Sequence, residues 1–482
     1  MRANYESLLL SRLVDHYPER YSFLGACRRL DGWIVSTSIY SLISDRSEMP
    51  PAETSRFASA IQNVSRAKQL QLVGILSGFA AGAWLGAAEA PTKLVSIGVS
   101  PMVISLVMVV GVFLARWSLP ALILGTSSVR ADVRRAPHLV IWALLAGCLW
   151  AVANTLTIFA IRDIGLSIAF PLWNSNSLLG ILWGFLFFNE LRQAGWRRWM
   201  GVLGGAIVMC AGAGLLAVSS SAAAPAAHSL RGVWAALGAG ILWGTMYIPY
   251  RKAYLTGMNP LSFVTFFSFG ELGMMSILSV SSLGLNPLWR ELSSARSVVF
   301  WLMLGGFVWV IGDIFQQYAA KYVGISRGIP LSNSNQLWGL LWGVLVFGEL
   351  HGRSSFVYAE VIGGSLLMML GVAAIAFSSA TGQEQTRWKE AAVRESDRYS
   401  VAADFVEARM DGRQVLGEAK PSRNWLDWLL VVAATSVFVL FAAMARVPQM
   451  SFRWGPAALL IAVLFSFLVV CGLALWRTTR FN

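Results

Sequence analysis

The sequence predicts an all-α polytopic membrane protein: an inverted repeat of five plus five transmembrane helices, with two extra C-terminal transmembrane helices. Three observations predict it. Hydrophobic residues make up 56% of the 482-residue chain and charged residues 13%, well below the roughly 25% charged content of a soluble domain. Several apolar runs approach or exceed the about 18 residues needed to cross the hydrocarbon core of a bilayer, Gly201–Val218 and Leu426–Ala443 among them. The second half also repeats the first at a constant offset of 159 residues.

That offset relates Pro171-Leu172-Trp173-Asn174-Ser175-Asn176 to Pro330-Leu331-Ser332-Asn333-Ser334-Asn335, and Leu182-Trp183-Gly184 to Leu341-Trp342-Gly343. It also pairs Trp142 with Trp301, Gly147 with Gly306, Trp150 with Trp309, Asn154 with Asp313 and Met209 with Met368. One spacing held over so many positions marks a duplicated membrane unit, an architecture that secondary transporters use to hold substrate between the copies.

The elements follow in order. Residues 1–70 carry scattered arginines without the apolar core and cleavage site of a secretory signal, and read as a cytoplasmic tail. Leu8–Val14 has the pattern of a short surface helix. The first repeat, 71–220, contains spans at 71–90, 101–124, 139–160, 165–189 and 197–218. The second, 231–379, contains spans at 231–252, 260–283, 299–320, 325–348 and 356–378. A charged linker at 380–424 follows, with apolar residues at helical spacing between Arg387 and Arg409, and then a transmembrane hairpin at 425–482 with spans 426–445 and 456–476.

Loop charge sets the expected orientation. Arg130, Arg134 and Arg135 follow span two, Arg192, Arg197 and Arg198 follow span four, and Arg251 and Lys252 close span six. The positive-inside rule puts these loops in the cytoplasm, and the Lys/Arg-free stretch Ser219–Leu230 only outside. Both termini are then cytoplasmic, in a multi-pass protein of the plasma (inner) membrane. An odd number of spans per copy makes the duplication inverted, the arrangement that permits alternating access. The net charge of +13 is accounted for by this loop bias, so no nucleic-acid partner is expected.

Polar residues inside the spans are the candidates for chemistry. Pro171 and Pro330 should each break a helix, since proline lacks the N–H and clashes with the preceding turn. Asn176, Gly180 and Gly184 form one stripe and Asn335, Gly339 and Gly343 another, both suited to close helix packing. Asn174 with Ser177, and Asn333 with Gln336, fall on other faces and suit a polar cavity, where an amide offers donor and acceptor to a hydroxyl. Trp309, Asp313 and Gln317 are spaced by four along span eight, and Trp150 and Asn154 are their first-copy equivalents. A ring beside hydrogen-bonding side chains is a platform for a sugar. A carboxylate in the bilayer costs about 2.5–3.5 kcal/mol, so Asp313 should face the bundle interior. It is the first choice for proton coupling and Glu271 in span seven the second; the alternative for Asp313 is an ion pair with Arg327 or Lys321.

Further pairings are structural expectations. Glu89 and Lys93 lie four apart and should pair; Tyr247 and Arg251 suit interfacial anchoring; Glu190 and Glu349 can accept from nearby helix N-termini. No Ser/His/Asp arrangement, HExxH or phosphate loop is present, so no enzyme is predicted. The scattered cysteines and histidines give no metal spacing, and neither metal nor cofactor is expected.

These residues carry a resemblance. The five-plus-five pattern with Trp243-Gly244 early in span six resembles the drug/metabolite transporter (EamA-like) superfamily. Gly324-Ile325-Ser326-Arg327-Gly328-Ile329-Pro330-Leu331-Ser332, with Gln336-Leu337 and Gly343 to Glu349, is similar to its bacterial glucose/ribose porter branch. The resemblance covers about residues 71–379 and implies sugar uptake, often by proton symport. The long tail, the linker and the two extra spans depart from the family pattern. The expected function is therefore secondary transport of a small polar solute, a sugar before others, with protons and the lipid bilayer as the other partners. An exporter of metabolites or amphipathic or cationic drugs, and a non-transporting membrane scaffold or sensor, remain alternatives. A homodimer is compatible with the sequence, which does not fix the oligomeric state.

Overall fold

The computed structural model describes residues 51–88, 90–91, 99–164, 172–173, 176–192, 194–220, 229–348, 351–352, 354–378, 382–413, 423–446 and 452–481. The Leu8–Val14 helix, the Glu89–Lys93 pair, Glu349, Pro171 and Asn174 lie outside them. The chain divides into two compact units, Met1–Ala67 and Lys68–Asn482. Of the first, residues 51–67 are described, as the opening part of helix α1 (Pro51–Ala87). Span one is thus the continuation of a helix that starts well before 71.

The second unit is helical throughout its described residues. After α1 come α2 (Pro101–Ile123), α3 (Thr126–Arg135), α4 (His138–Ile164), α5 (Asn176–Phe188) and α6 (Trp196–Ser220). The second copy gives α7 (Ser229–Leu255), α8 (Pro260–Leu283), α9 (Leu285–Ser294), α10 (Val299–Val323), α11 (Ile325–Ser332), α12 (Asn335–Leu341), a π-helical turn at Trp342–Val346, and α13 (Ser355–Phe377). Helices α14 (Gly382–Arg398) and α15 (Ala403–Met410) form the linker, and α16 (Trp425–Met444) and α17 (Trp454–Thr479) the final pair.

Among the described residues, nine helices are long and apolar enough to cross a membrane, which makes this a multi-pass membrane protein. Three sequence-read spans differ from that set for separate reasons. Span four is described as a 13-residue helix, α5. Span six is a 27-residue helix, α7, that carries Arg231, Arg251 and Lys252. Span nine is divided into α11, α12 and the π turn.

Local structure recurs at the 159-residue offset. Both α2 and α8 begin with a polar cap and a proline at the first turn. Ser100 Oγ accepts from Val103 N at 3.4 Å, and Asn259 Oδ1 from Leu261 N at 2.9 Å, ahead of Pro101 and Pro260. The next elements start after Gly125 and Gly284, with φ of 80° and 81°, conformations that a side chain would strain. Each glycine leads into a ten-residue helix, α3 or α9.

Packing repeats as well. α2 crosses α10 where Gly111 meets the Met303 backbone and Gly306 meets that of Met108; α4 crosses α8 where Gly147 meets the Phe267 backbone and Gly270 that of Leu144. Each residue of one crossing is the offset partner of a residue in the other. Small side chains there let the backbones touch. Equivalent helices α6 and α13 meet reciprocally: Gly205 lies on Gly371, and Gly212 on Gly364. As α6 ascends α13 descends, so these two helices run antiparallel. α16 packs on α2 and α10, and α17 on the π turn. Asp427 ties α16 to α3, its Oδ1 accepting from Thr126 N at 2.7 Å.

Candidate functional site

The interior of the bundle holds a charged triad. Arg116 of α2 is fully buried. Its Nη1 lies 3.0 Å from Glu271 Oε2 on α8, and its Nη2 donates to Asp313 Oδ2 on α10 at 2.7 Å. All three side chains are inaccessible to solvent. The guanidinium carbon sits 4.1 Å from the Phe267 ring centroid and 5.3 Å from that of Trp309. Charge and ring contacts together offset the removal of these groups from water.

Asp313 does pair with a cation, as one sequence alternative held, but the partner is neither Arg327 nor Lys321. Arg327 Nε donates to Ser378 O at 2.7 Å, and Lys321 packs against Tyr322. Arg116 was missed because its offset equivalent is Met275, so the repeat did not flag it. The usable signal was an arginine in an apolar run, with Glu271 as an unmatched carboxylate elsewhere.

A polar ladder extends from the triad along one side of α10. Gln317 Nε2 donates to Asp313 Oδ1 at 3.0 Å, and the Tyr254 hydroxyl of α7 donates to Gln317 Oε1. Neighbouring Gln316 donates to Ser332 Oγ at 2.6 Å, and that hydroxyl donates to Ile329 O at 2.8 Å, at the end of α11. Trp309, Asp313 and Gln317 therefore share a face, as their spacing predicts. Trp150 and Trp309, offset partners, meet edge to face with centroids 5.1 Å apart. Asn154 Nδ2 donates to Ser105 Oγ at 3.3 Å rather than joining the triad.

The interruption of span nine follows Pro330. α11 ends at Ser332, and Asn333 and Ser334 turn before α12. Asn333 Nδ2 donates to Asn176 Oδ1 at 2.8 Å and Ser177 Oγ at 2.6 Å on α5. The separation of Asn176 as a packing residue from Ser177 as a cavity residue thus becomes one cluster on Asn333. Gln336 is half-buried on α12. Each glycine stripe has one close contact: Gly184 lies on Ser326 and Glu190, and the Asn335–Gly339 stretch lies on Gly86 of α1.

Glu190 caps α11. Its Oε2 accepts from Ser326 N at 2.9 Å and Ser326 Oγ at 2.7 Å, and its Oε1 from Ile325 N at 3.2 Å. The helix N-terminus favours that carboxylate. Arg251 Nε completes the arrangement 2.9 Å from Glu190 Oε1. Arg251 and Tyr247, expected as interfacial anchors, are both buried, because this carboxylate and the helix packing give them interior partners.

Comparison with known proteins finds similarity over part of this region. The family model described as "Sugar transport protein" matches residues 278–397, a stretch that includes Asp313 and Asn333. A "Putative sugar uptake protein" of Streptococcus pyogenes serotype M1 is 39% identical over 94 residues, which is 19% of this chain and 31% of that protein. A protein of Lactiplantibacillus plantarum with the same description is 40% identical over 80 residues, 16% of this chain and 27% of its own. The matches thus span less than a third of the length of those relatives. One solved crystal structure aligns with 62% of this chain and 95% of its own at a TM-score of 0.43 and 17% identity.

Proposed function

We propose that this protein is a secondary active transporter that carries a sugar across the plasma (inner) membrane by alternating access between two inverted five-helix repeats, coupled to protons. The observation that carries the proposal is the Arg116–Glu271–Asp313 triad. One helix of the first copy and two of the second contribute to it, with all three side chains closed off from solvent. Buried ion pairs can cost more to desolvate than they return, and ionisable groups within membrane segments mark transport pathways. The sugar-family match over 278–397 supports the substrate class. The antiparallel α6–α13 contact and the paired glycine crossings support the inverted arrangement.

In this reading Arg116 is a fixed internal cation. Asp313, and Glu271 after it, take and release the proton, and proton binding frees Arg116 from one partner so that the triad can rearrange. Trp309, Trp150, Gln317, Gln336, Asn154, Asn174, Ser177 and Asn333 are the candidate sugar contacts, and Pro171 and Pro330 the candidate helix-break positions. The Trp309 ring already faces Arg116, which disfavours the alternative of a cage for cationic drugs.

A solute screen in proteoliposomes, with and without a pH gradient, tests the proposal. Asp313→Asn should abolish proton-driven accumulation of the transported sugar while sparing counterflow exchange. Unchanged accumulation in that variant, or no flux of any sugar through the native protein, would refute it.

A further inference from the structure

We propose that helices α14 and α15, with the turn between them, form a gating strap, which holds one end of the bundle closed over the triad. The inference rests on the carrier reading for its purpose and on separate contacts for its geometry. α14 and α15 pack across the end that bears Arg135, Arg251 and Lys252, the face the positive-inside rule assigns to the cytoplasm.

The strap touches three segments of the bundle. On α7, Lys252 Nζ lies 3.2 Å from Glu395 Oε2, and Phe405 packs on Gly257 just beyond the helix. At the start of α4, the His138 ring stacks on Tyr399 at 3.7 Å and 9°. On α3, Arg409 Nη2 is 3.7 Å from Asp132 Oδ1. Such contacts tie together helices that a rocking carrier must separate.

One contact links the strap to the site. The Arg251 guanidinium carbon lies 4.8 Å from the Trp388 ring centroid, and Arg251 also pairs with Glu190, which caps α11. Parting α7 from α11 at this end means breaking Arg251–Glu190, and Trp388 covers that pair. α11 leads directly to Ser332 and Asn333. The strap therefore acts on the broken helix through Arg251, by its pair with Glu190 and its hydrogen bonds to Ala320 O at 3.2 Å and Lys321 O at 2.9 Å at the end of α10. The chain after α17 reinforces the closure: Phe481 O accepts from Asn259 Nδ2 at 2.6 Å and from Tyr318 Oη at 2.8 Å.

The test measures access and flux separately. In full-length protein with its native cysteines replaced, Ser332→Cys reports access from the strap side by its rate of alkylation with a membrane-impermeant maleimide in inside-out vesicles. Glu395→Gln with Tyr399→Ala, which removes the Lys252 pair and the His138 stack, should raise that rate at least several-fold. Trp388→Ala, which uncovers Arg251, serves as an independent second release. Equal alkylation rates in the native strap and in both release variants, each shown folded by its melting transition, would overturn the strap. Sugar flux is read on the same strap variants with Ser332 intact. Raised alkylation without flux in any variant supports the strap and refutes the carrier; flux with unchanged alkylation does the reverse.

Discussion

Arg116 is held by two carboxylates from different helices, so its loss should be felt through what it leaves behind. Arg116→Met strands Glu271 and Asp313 beside one another without a cation. Breaking a buried pair in this way costs about 3–5 kcal/mol, and the variant should melt far below the native protein in detergent. Adding Glu271→Gln and Asp313→Asn to the same chain should recover most of that loss, because the penalty belongs to the unpaired charges rather than to the missing contacts. A single variant that melts like the native protein would show that the triad is not ionised as drawn. Asp313 was legible in the sequence because its spacing from Trp309 and Gln317 defines a face, and Glu271 because a carboxylate in an apolar span is rare. The partnership with Arg116 was not. A contact between α2 and α10 depends on which helices the fold places side by side, and no periodicity within either helix encodes it.

Glycine decides how closely the helices approach. In the Gly204-Gly205 pair, a Cβ on Gly204 would meet nothing within 4 Å, whereas one on Gly205 would lie 2.8 Å from Gly371 O and 2.9 Å from Ile375 Cγ1. Gly204→Ala should therefore leave the melting temperature unchanged or slightly raised. Gly205→Ala should lower it by the equivalent of about 1–3 kcal/mol, the usual cost of overpacking. The two substitutions are chemically identical and adjacent, so a shared effect would point away from the α6–α13 contact. The sequence makes helices such as α2, α10, α13 and α16 directly legible, because their apolar runs have the length of a bilayer crossing. It read α14 and α15 as one surface helix between Arg387 and Arg409. Their docking was hidden because Trp388, Glu395 and Tyr399 find partners on α4 and α7, far away along the chain.

At the scale of the whole molecule, the triad has a consequence for the driving force. One guanidinium faces two carboxylates, so under the proposed proton-coupled mechanism the triad of the empty carrier bears one formal negative charge, which a single bound proton cancels. Reorientation of the proton- and sugar-loaded form is then electrically silent, while the return of the empty form moves charge through the field. An interior-negative voltage pushes that charge outward, with a bias of up to about 2.3 kcal/mol per 100 mV if the whole field is crossed. Proteoliposomes clamped with potassium and valinomycin should show net uptake that rises with interior-negative voltage when empty of sugar, and counterflow exchange that hardly responds when preloaded with it. Exchange that responds as steeply as net uptake would place the charge movement on the loaded form instead. With the charge on the empty form, the resting voltage of the cell, and not the proton gradient alone, sets how often an unloaded carrier is found open to the outside.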